Sequence, residues 1–177
     1  GYGIKPFGLS MIETAIELTE GRVSGTEIKV IIDAIKGMLT APIELLPHVA
    51  ETIPLLTQQV PLMLITKGDL LDQESKVARS GLAEYFQHVE IVSDKTEKHY
   101  ADLLGQHQIA PQRFLMVGNS LRSDILPVLA LGGTAVYVPH PLTWAHEAAE
   151  APLGNNRFYE LEHVGLIPEL VKKLEDS

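Results

Sequence analysis

The first third of the chain carries hydrophobic residues at the three- and four-residue spacings of amphipathic helices. The pattern predicts helices at residues 9–20, 24–40 and about 47–58. Ser24 and Glu27 have the spacing of a capping box, which supports the start of the second helix. Pro54 is expected to interrupt or kink the third helix. The first two helices form a predicted helical hairpin, whose apolar stripes must be buried against another surface.

From residue 61 onward, short apolar runs alternate with helical stretches. The runs cover residues 61–66, 89–92, 114–118 and 134–139. Because they lack the alternation of a half-exposed strand, they are typical of strands covered by helices on both faces. Strands that alternate with helices indicate a parallel sheet. The predicted fold class is therefore α/β, with helices on both faces of a parallel sheet and a last helix at residues 163–174.

Composition and charge narrow the class of protein. The 177 residues are 45% hydrophobic and 21% charged, which is ordinary for a globular protein and too apolar for disorder. A net charge of −9 argues against nucleic acid as a partner, because phosphate backbones require clustered Lys and Arg. No apolar run is long enough for a membrane helix, so no membrane partner is expected. The absence of Cys gives weak support to a cytoplasmic location.

Three of the predicted strands end in polar residues. Thr66, Lys67 and Gly68 follow the first strand, Lys95 follows the second, and Asn119 and Asp124 follow the third. Each group alone has a structural explanation, because such residues also cap helices, form turns or lie in solvated loops. In a parallel sheet, however, the carboxyl ends of the strands meet at one edge, where ligands bind. We therefore expect Thr66, Lys95 and Asp124 to face one shared pocket.

These segments resemble three motifs of the haloacid dehalogenase-like (HAD) hydrolase superfamily. LITKGD resembles the second motif, SDKTEKHYADLL the third and GNSLRSDI the fourth. The resemblance covers nearly the whole of residues 61–150. It implies a HAD-like Rossmannoid core at residues 59–177 that lacks its first strand. Residues 1–58 resemble the C-terminal part of a helical cap of the C1 type, which closes over the site and selects the substrate.

The resemblance implies roles for the strand-end residues. Thr66 binds a phosphoryl oxygen, helped by the backbone N–H groups of Lys67 and Gly68. Lys95 offsets the negative charge of the nucleophile and the phosphoryl group. Thr66 and Lys95 are thus the expected catalytic residues. The implied function is that of a phosphatase, which hydrolyses small phosphorylated metabolites through an aspartyl-phosphate intermediate.

The fourth motif implies a Mg²⁺ site at Asp124 and Asn119. Asn119 stands where the family commonly has a metal-binding Asp, and this substitution removes one negative charge from the site. HAD members that cleave carbon–halogen bonds work without the metal and also lack that acid, so a metal-independent haloacid dehalogenase is one alternative. The presence of Asp124 within SLRSDI favours the phosphatase.

The first motif of the family is absent from this sequence. No Asp-x-Asp run occurs, so the nucleophile and the acid/base are both missing. We expect the intact protein to carry roughly 70 further N-terminal residues, from the usual size of such a domain. The chain by itself is expected to be inactive, and a non-catalytic binding or scaffold module is the second alternative. PLTWAHE, at residues 141–147, is predicted to be a loop and helix start, with His140 and Trp144 as candidates to face a substrate.

Overall fold

A computed structural model describes residues 3–143, 145–147 and 149–176. The helices are α1 (Ile4–Leu18), α2 (Gly25–Thr40), α3 (Val49–Leu56), α4 (Leu70–Arg79), α5 (Glu97–Gln106), α6 (Leu126–Ala130) and α7 (Ile167–Glu175). The strands are β1 (Met63–Lys67), β2 (His88–Val92), β3 (Leu115–Gly118), β4 (Thr134–Tyr137) and β5 (Phe158–Glu160). Trp144, named above as a candidate, lies outside the described residues.

The chain divides into two compact units. The hairpin unit comprises Gly1–Glu44, Ile65–Glu84 and Val89–Ser93, and the sheet unit comprises Leu45–Leu64, Tyr85–His88 and Asp94–Ser177. Helix α3 thus belongs to the sheet unit. The predicted division into a cap at residues 1–58 and a core at 59–177 places its boundary elsewhere and stays a prediction.

In the hairpin unit, α1 and α2 pack against each other as the sequence predicts. Gly8 permits their close approach, because a Cβ atom there would lie 2.2 Å from Cδ1 of Ile35. The predicted capping box is present: the Ser24 side chain accepts from the Glu27 N–H, and the Glu27 side chain accepts from the Ser24 N–H. The Ser24 N–H and the Ser24 hydroxyl both donate to the Glu27 carboxyl, and these two hydrogen bonds lower its pKa. Strand β1 pairs with β2 in a two-stranded sheet.

In the sheet unit, β3, β4 and β5 form a parallel sheet in that order. Its core contains Leu104 from α5, Val136 from β4 and Ile125 and Val128 from the chain that follows β3. A second apolar cluster joins α3 to α7 through Leu56, Ile167 and Val171. The expected α/β class with parallel strands is thus present. Among the described residues, no helix has both the length and the apolar character needed to cross a bilayer.

Several details differ from the predicted elements. Helix α1 begins at Ile4, five residues before the predicted start at residue 9. Strand β5 was not predicted, because its three residues, Phe-Tyr-Glu, are too short and too polar to stand out as an apolar run. Helix α3 continues through Pro54 to Leu56, so the proline does not interrupt it, and the kink expected as the alternative stays a prediction.

The segment after β3 also departs from a regular helix. A π-helical turn, Leu121–Ile125, precedes α6. Pro127 has no N–H to donate to the carbonyl group of Ser123, four residues earlier. The hydroxyl of Tyr100 in α5 donates to that carbonyl instead, at 3.2 Å. The proline therefore leaves an acceptor that a side chain from another helix satisfies.

Candidate active site

The centre of the candidate site is an ion pair in the sheet unit. Lys95 precedes α5, and Asp124 lies in the π-helical turn after β3. The Lys95 Nζ atom lies 2.8 Å from Asp124 Oδ1, with side chains 12% and 6% exposed. The two residues are 29 apart in sequence. The fold thus brings together a lysine and a carboxylate that the sequence assigned to one site.

Backbone geometry fixes the Asp124 carboxylate. Its second oxygen, Oδ2, accepts from the Ser120 N–H at 3.1 Å. The carboxylate lies so close to the end of β3 that a Cβ atom on Gly118 would be 2.2 Å from Oδ2. No side chain can approach another atom so closely, so residue 118 must be glycine for Asp124 to keep this position.

Tyr100 supports the same turn from α5. The side chain is buried, and its hydroxyl donates to the Ser123 carbonyl group. Burial, and secondarily the negative charge of Asp124, raises the pKa of Tyr100 well above its ordinary value. The phenol therefore remains a neutral hydrogen-bond donor at physiological pH.

Asn119 lies at the exposed end of β3. Its amide nitrogen Nδ2 donates to Thr143 Oγ1 at 2.8 Å. This contact orients the side chain and leaves its other polar atom, the carbonyl oxygen, as the one able to ligate a cation. The acceptor, Thr143, comes from the loop after β4, in the segment 141–147 that the sequence offered as substrate-facing, although Thr143 itself was not named there.

Glu147 is a residue that sequence reasoning missed. Its Oε2 atom accepts from the hydroxyls of Ser120 and Ser123, each at 2.5 Å. Ser120 and Ser123 are both buried. Glu147 lies 27 and 24 residues from its two partners, and it belongs to none of the strand-end motifs that pointed to the other candidates.

Thr66, Lys67 and Gly68 lie in the hairpin unit, at and just after the end of β1. The Thr66 hydroxyl donates to Gln73 Oε1 at 2.8 Å. Gly68 has a φ of +153°, and its N–H donates to the Val92 carbonyl group at 3.3 Å. A phosphate contact from that N–H would have to replace this bond.

The helix after β1 begins beyond the predicted phosphate-binding residues. Asp69 is the N-cap of α4 and accepts from the Asp72 N–H, so Asp69 and not Thr66 caps this helix. Lys5 of α1 donates to the Asp69 carboxylate at 2.9 Å. The hydrogen bonds from Lys5 and from the Asp72 N–H lower the pKa of Asp69.

The candidate residues thus form two groups, one in each unit. Lys95, Asn119 and Asp124 belong to the sheet unit, where Lys95 contacts Asp124, whereas Thr66, Lys67 and Gly68 belong to the hairpin unit. The shared pocket expected for Thr66, Lys95 and Asp124 stays a prediction.

The magnesium site expected at Asp124 and Asn119 stays a prediction. Within the described ranges, no cluster of three or more His, Cys, Asp or Glu residues could hold a metal. Mg²⁺ commonly binds one or two carboxylates and completes its shell with water and substrate oxygens. Asp124 and the Asn119 carbonyl oxygen fit that pattern as one carboxylate and one neutral ligand. The Asp124 oxygens already accept from Lys95 and Ser120, so a cation would share this carboxylate.

Comparison with known proteins establishes the class. The model of the haloacid dehalogenase-like hydrolase family matches residues 3–136. A haloacid dehalogenase-like family hydrolase from Xanthomonas campestris is 39% identical, with a TM-score of 0.91. The match covers 99% of this chain and 75% of that one. The chain therefore belongs to the haloacid dehalogenase-like hydrolase family, and its fold is the predicted HAD-like Rossmannoid fold.

More distant structures share the fold but differ in described activity. One is a predicted phosphoglycolate phosphatase from Haemophilus somnus, at 17% identity and a TM-score of 0.66, covering 96% of this chain and 78% of that chain. Another is the L-2-haloacid dehalogenase from Xanthobacter autotrophicus with chloropropionic acid covalently bound, at 18% identity and a TM-score of 0.61, covering 81% and 66%. Among curated proteins, none matches this chain.

Proposed function

We propose that this hydrolase is a Mg²⁺-dependent phosphatase acting on a small phosphorylated metabolite. The observation that carries the proposal is the buried ion pair of Lys95 and Asp124 beside the end of β3. A lysine ammonium has three N–H donors, and one of them is directed to Asp124. The others can bind phosphoryl oxygens while Asp124 keeps the ammonium in position.

In this proposal the remaining candidate residues bind the phosphoryl group and the cation. Thr66 donates its hydroxyl to a phosphoryl oxygen, in place of its present bond to Gln73. The backbone at Lys67 and Gly68 contributes N–H groups to the same anion. Asp124 and Asn119 hold Mg²⁺, which when bound offsets the negative charge of the phosphoryl oxygens.

The chemical step of the family uses an aspartate of the first motif, which becomes phosphorylated and is then hydrolysed. The sequence has no Asp-x-Asp run, so we propose that this chain alone does not turn over substrate. An activity test therefore needs a form of the protein that also carries a first motif, with the present chain as the negative control.

The test is hydrolysis of p-nitrophenyl phosphate with Mg²⁺ and with EDTA. Replacing Lys95 with alanine should lower kcat by about 10²–10³-fold, because positive charge at the developing negative charge is lost. Lys98→Ala is the matched control, since Lys98 is 83% exposed and pairs with Asp102 on its own helix. Near-equal rates for Lys95→Ala and the parent would show that Lys95 is not the catalytic lysine.

Asn119 supports one alternative, a metal-independent haloacid dehalogenase. Such an enzyme would release chloride from 2-chloropropionate equally well with Mg²⁺ and with EDTA. It would leave p-nitrophenyl phosphate intact. That pair of results would replace the phosphatase proposal, and activity on neither substrate would favour a binding or scaffold module.

A further inference from the structure

Glu147 is connected to the Lys95–Asp124 ion pair by hydrogen bonds through Ser120. Its carboxylate accepts from the Ser120 hydroxyl, and the Ser120 N–H donates to Asp124 Oδ2. The other oxygen of Asp124 accepts from Lys95. A single residue, Ser120, thus separates Glu147 from the carboxylate that holds the lysine.

Ser120 also organises the backbone of the π-helical turn. Its hydroxyl accepts from the Ser123 N–H at 2.8 Å while donating to Glu147. Its carbonyl group accepts from the N–H groups of Asp124 and Ile125, at 2.9 and 3.2 Å. The orientation of Ser120 therefore determines where Asp124 lies, and Glu147 holds the side-chain end of Ser120.

The two serine hydroxyls are buried, which makes their acceptor important. Both donate to the same oxygen of the Glu147 side chain. Without that acceptor two buried hydroxyl donors would lose their partner, and such groups are costly to leave unsatisfied. The serines would then rotate toward other acceptors, and the turn would change with them.

Two more contacts join the same segments. Asn119 donates to Thr143, and Arg122 donates to the His146 carbonyl group at 3.3 Å. The segment that follows β4 thus contacts the region of the turn through residues 119, 120, 122 and 123. Among these four contacts, the two that involve a carboxylate both involve that of Glu147.

We infer that Glu147 is a positioning residue, which holds Asp124 against Lys95 by accepting from Ser120 and Ser123. This inference rests on the proposed function for its effect on turnover, but its effect on the ion pair can be measured without substrate. Glu147 itself is not proposed to touch the substrate.

The first experiment uses the chain as it is and follows the Lys95 ammonium by ¹⁵N NMR. A buried, ion-paired ammonium exchanges its protons slowly, so it should give a resolved Nζ–H signal in the parent. Glu147→Ala should broaden or remove this signal, whereas Glu147→Gln should keep it because the amide oxygen still accepts. Glu150→Ala, at an exposed position three residues away, is the control and should leave the signal unchanged.

The second experiment measures turnover in the form that carries a first motif. Misplacement of a catalytic group by about 1 Å can lower a rate by about 10²-fold, so Glu147→Ala should lower kcat by about that factor with little change in KM. Glu147→Gln should recover most of the activity. If Glu147→Ala does not fold, Ser123→Ala removes one of the two donors and should give a smaller loss in the same direction.

The outcomes separate the inference from the proposed function. Absence of phosphatase activity in the form that carries a first motif, together with a Lys95 signal in the present chain that Glu147→Ala abolishes, would reject the phosphatase and keep the positioning role. An unchanged Lys95 signal in Glu147→Ala would overturn the inference whatever the activity. A Glu147→Gln variant as impaired as Glu147→Ala would also overturn it, because an acceptor oxygen is retained there.

Discussion

The hairpin unit and the sheet unit are stabilised in different ways. In the sheet unit the buried apolar residues come from many elements: Leu56, Tyr100, Leu103, Leu104, Met116, Leu121, Ile125, Val128, Ala135, Val136, Ile167 and Val171. In the described part of the hairpin unit only Gly8, Ile65 and Asp72 are buried. Large apolar side chains of α1 and α2, such as Leu18 and Val30, are exposed. The sheet unit therefore depends on apolar burial far more than the hairpin unit does.

Exposed polar contacts join the helices of the hairpin unit. Arg79 of α4 donates to the carbonyl groups of Leu39, Thr40 and Ala41 at the C-terminal end of α2. Lys5 of α1 bonds to Asp69, the cap of α4. Exposed contacts of this kind contribute little individually. The two units should therefore respond differently to loss of apolar volume and to pH.

The largest expected effect is the loss of a core side chain in the sheet unit. Ile125 is 0% exposed, and Ile125→Ala should lower the free energy of unfolding by about 2–5 kcal/mol through lost burial and a cavity. Leu18→Ala, at a position 79% exposed in the hairpin unit, should change it by less than about 0.5 kcal/mol. Urea denaturation measures the free energy of unfolding of both variants. Equal losses would contradict the stated difference between the two units.

A smaller effect is expected from a methyl group added at the site. Gly118→Ala places a Cβ atom against the Asp124 carboxylate and should lower the free energy of unfolding by about 1–3 kcal/mol. Gly105→Ala is the control in the same unit, because no atom lies within 4 Å of its Cβ position. Since Gly105 is in helix α5, that change should be neutral or stabilising by up to about 1 kcal/mol. A Gly118→Ala variant as stable as Gly105→Ala would mean that Asp124 is not held against β3.

The smallest effect should be a change of protein stability with pH, caused by Asp69 in the hairpin unit. The pKa of Asp69 is lowered in the folded protein, first by the hydrogen bond from Lys5 and then by the Asp72 N–H. Its ionised form therefore adds stability above the ordinary carboxyl pKa, and this contribution is lost as the pH falls through the lowered pKa. Asp69→Asn keeps a good helix cap but removes the charge. Thermal melts should show the parent more stable than Asp69→Asn at neutral pH.

The stability difference between the parent and Asp69→Asn should shrink as the solution is acidified, because the Asp69 carboxyl is then neutral like the amide that replaces it. In a Lys5→Met background, the advantage of the native Asp69 over the Asp69→Asn substitution should be smaller at neutral pH, since the main cause of the lowered pKa is gone. A stability difference between the parent and Asp69→Asn that is constant with pH would assign the effect to packing.

The sequence predicted elements wherever the signal was local. The capping box of Ser24 and Glu27 and the four apolar strands all follow from spacings within a few residues. Where a chain segment had a weak pattern, as in the three residues of β5, prediction failed. The π-helical turn also escaped prediction, because it depends on Pro127 and on Tyr100 from another helix.

In the candidate site, too, local features were predictable from the sequence and long-range contacts were not. The residue types that follow each strand can be read directly from the sequence, and they named Thr66, Lys95, Asn119 and Asp124 as candidates. The sequence also assigned Lys95 and Asp124 to one pocket, but their direct ion pair is visible only in the folded chain. The same is true of Glu147, which accepts from two serines more than twenty residues away. The physical reason is range: capping and periodicity act between neighbours in sequence, whereas a hydrogen bond needs its partners within about 3 Å in space. Chain folding alone brings such distant partners together.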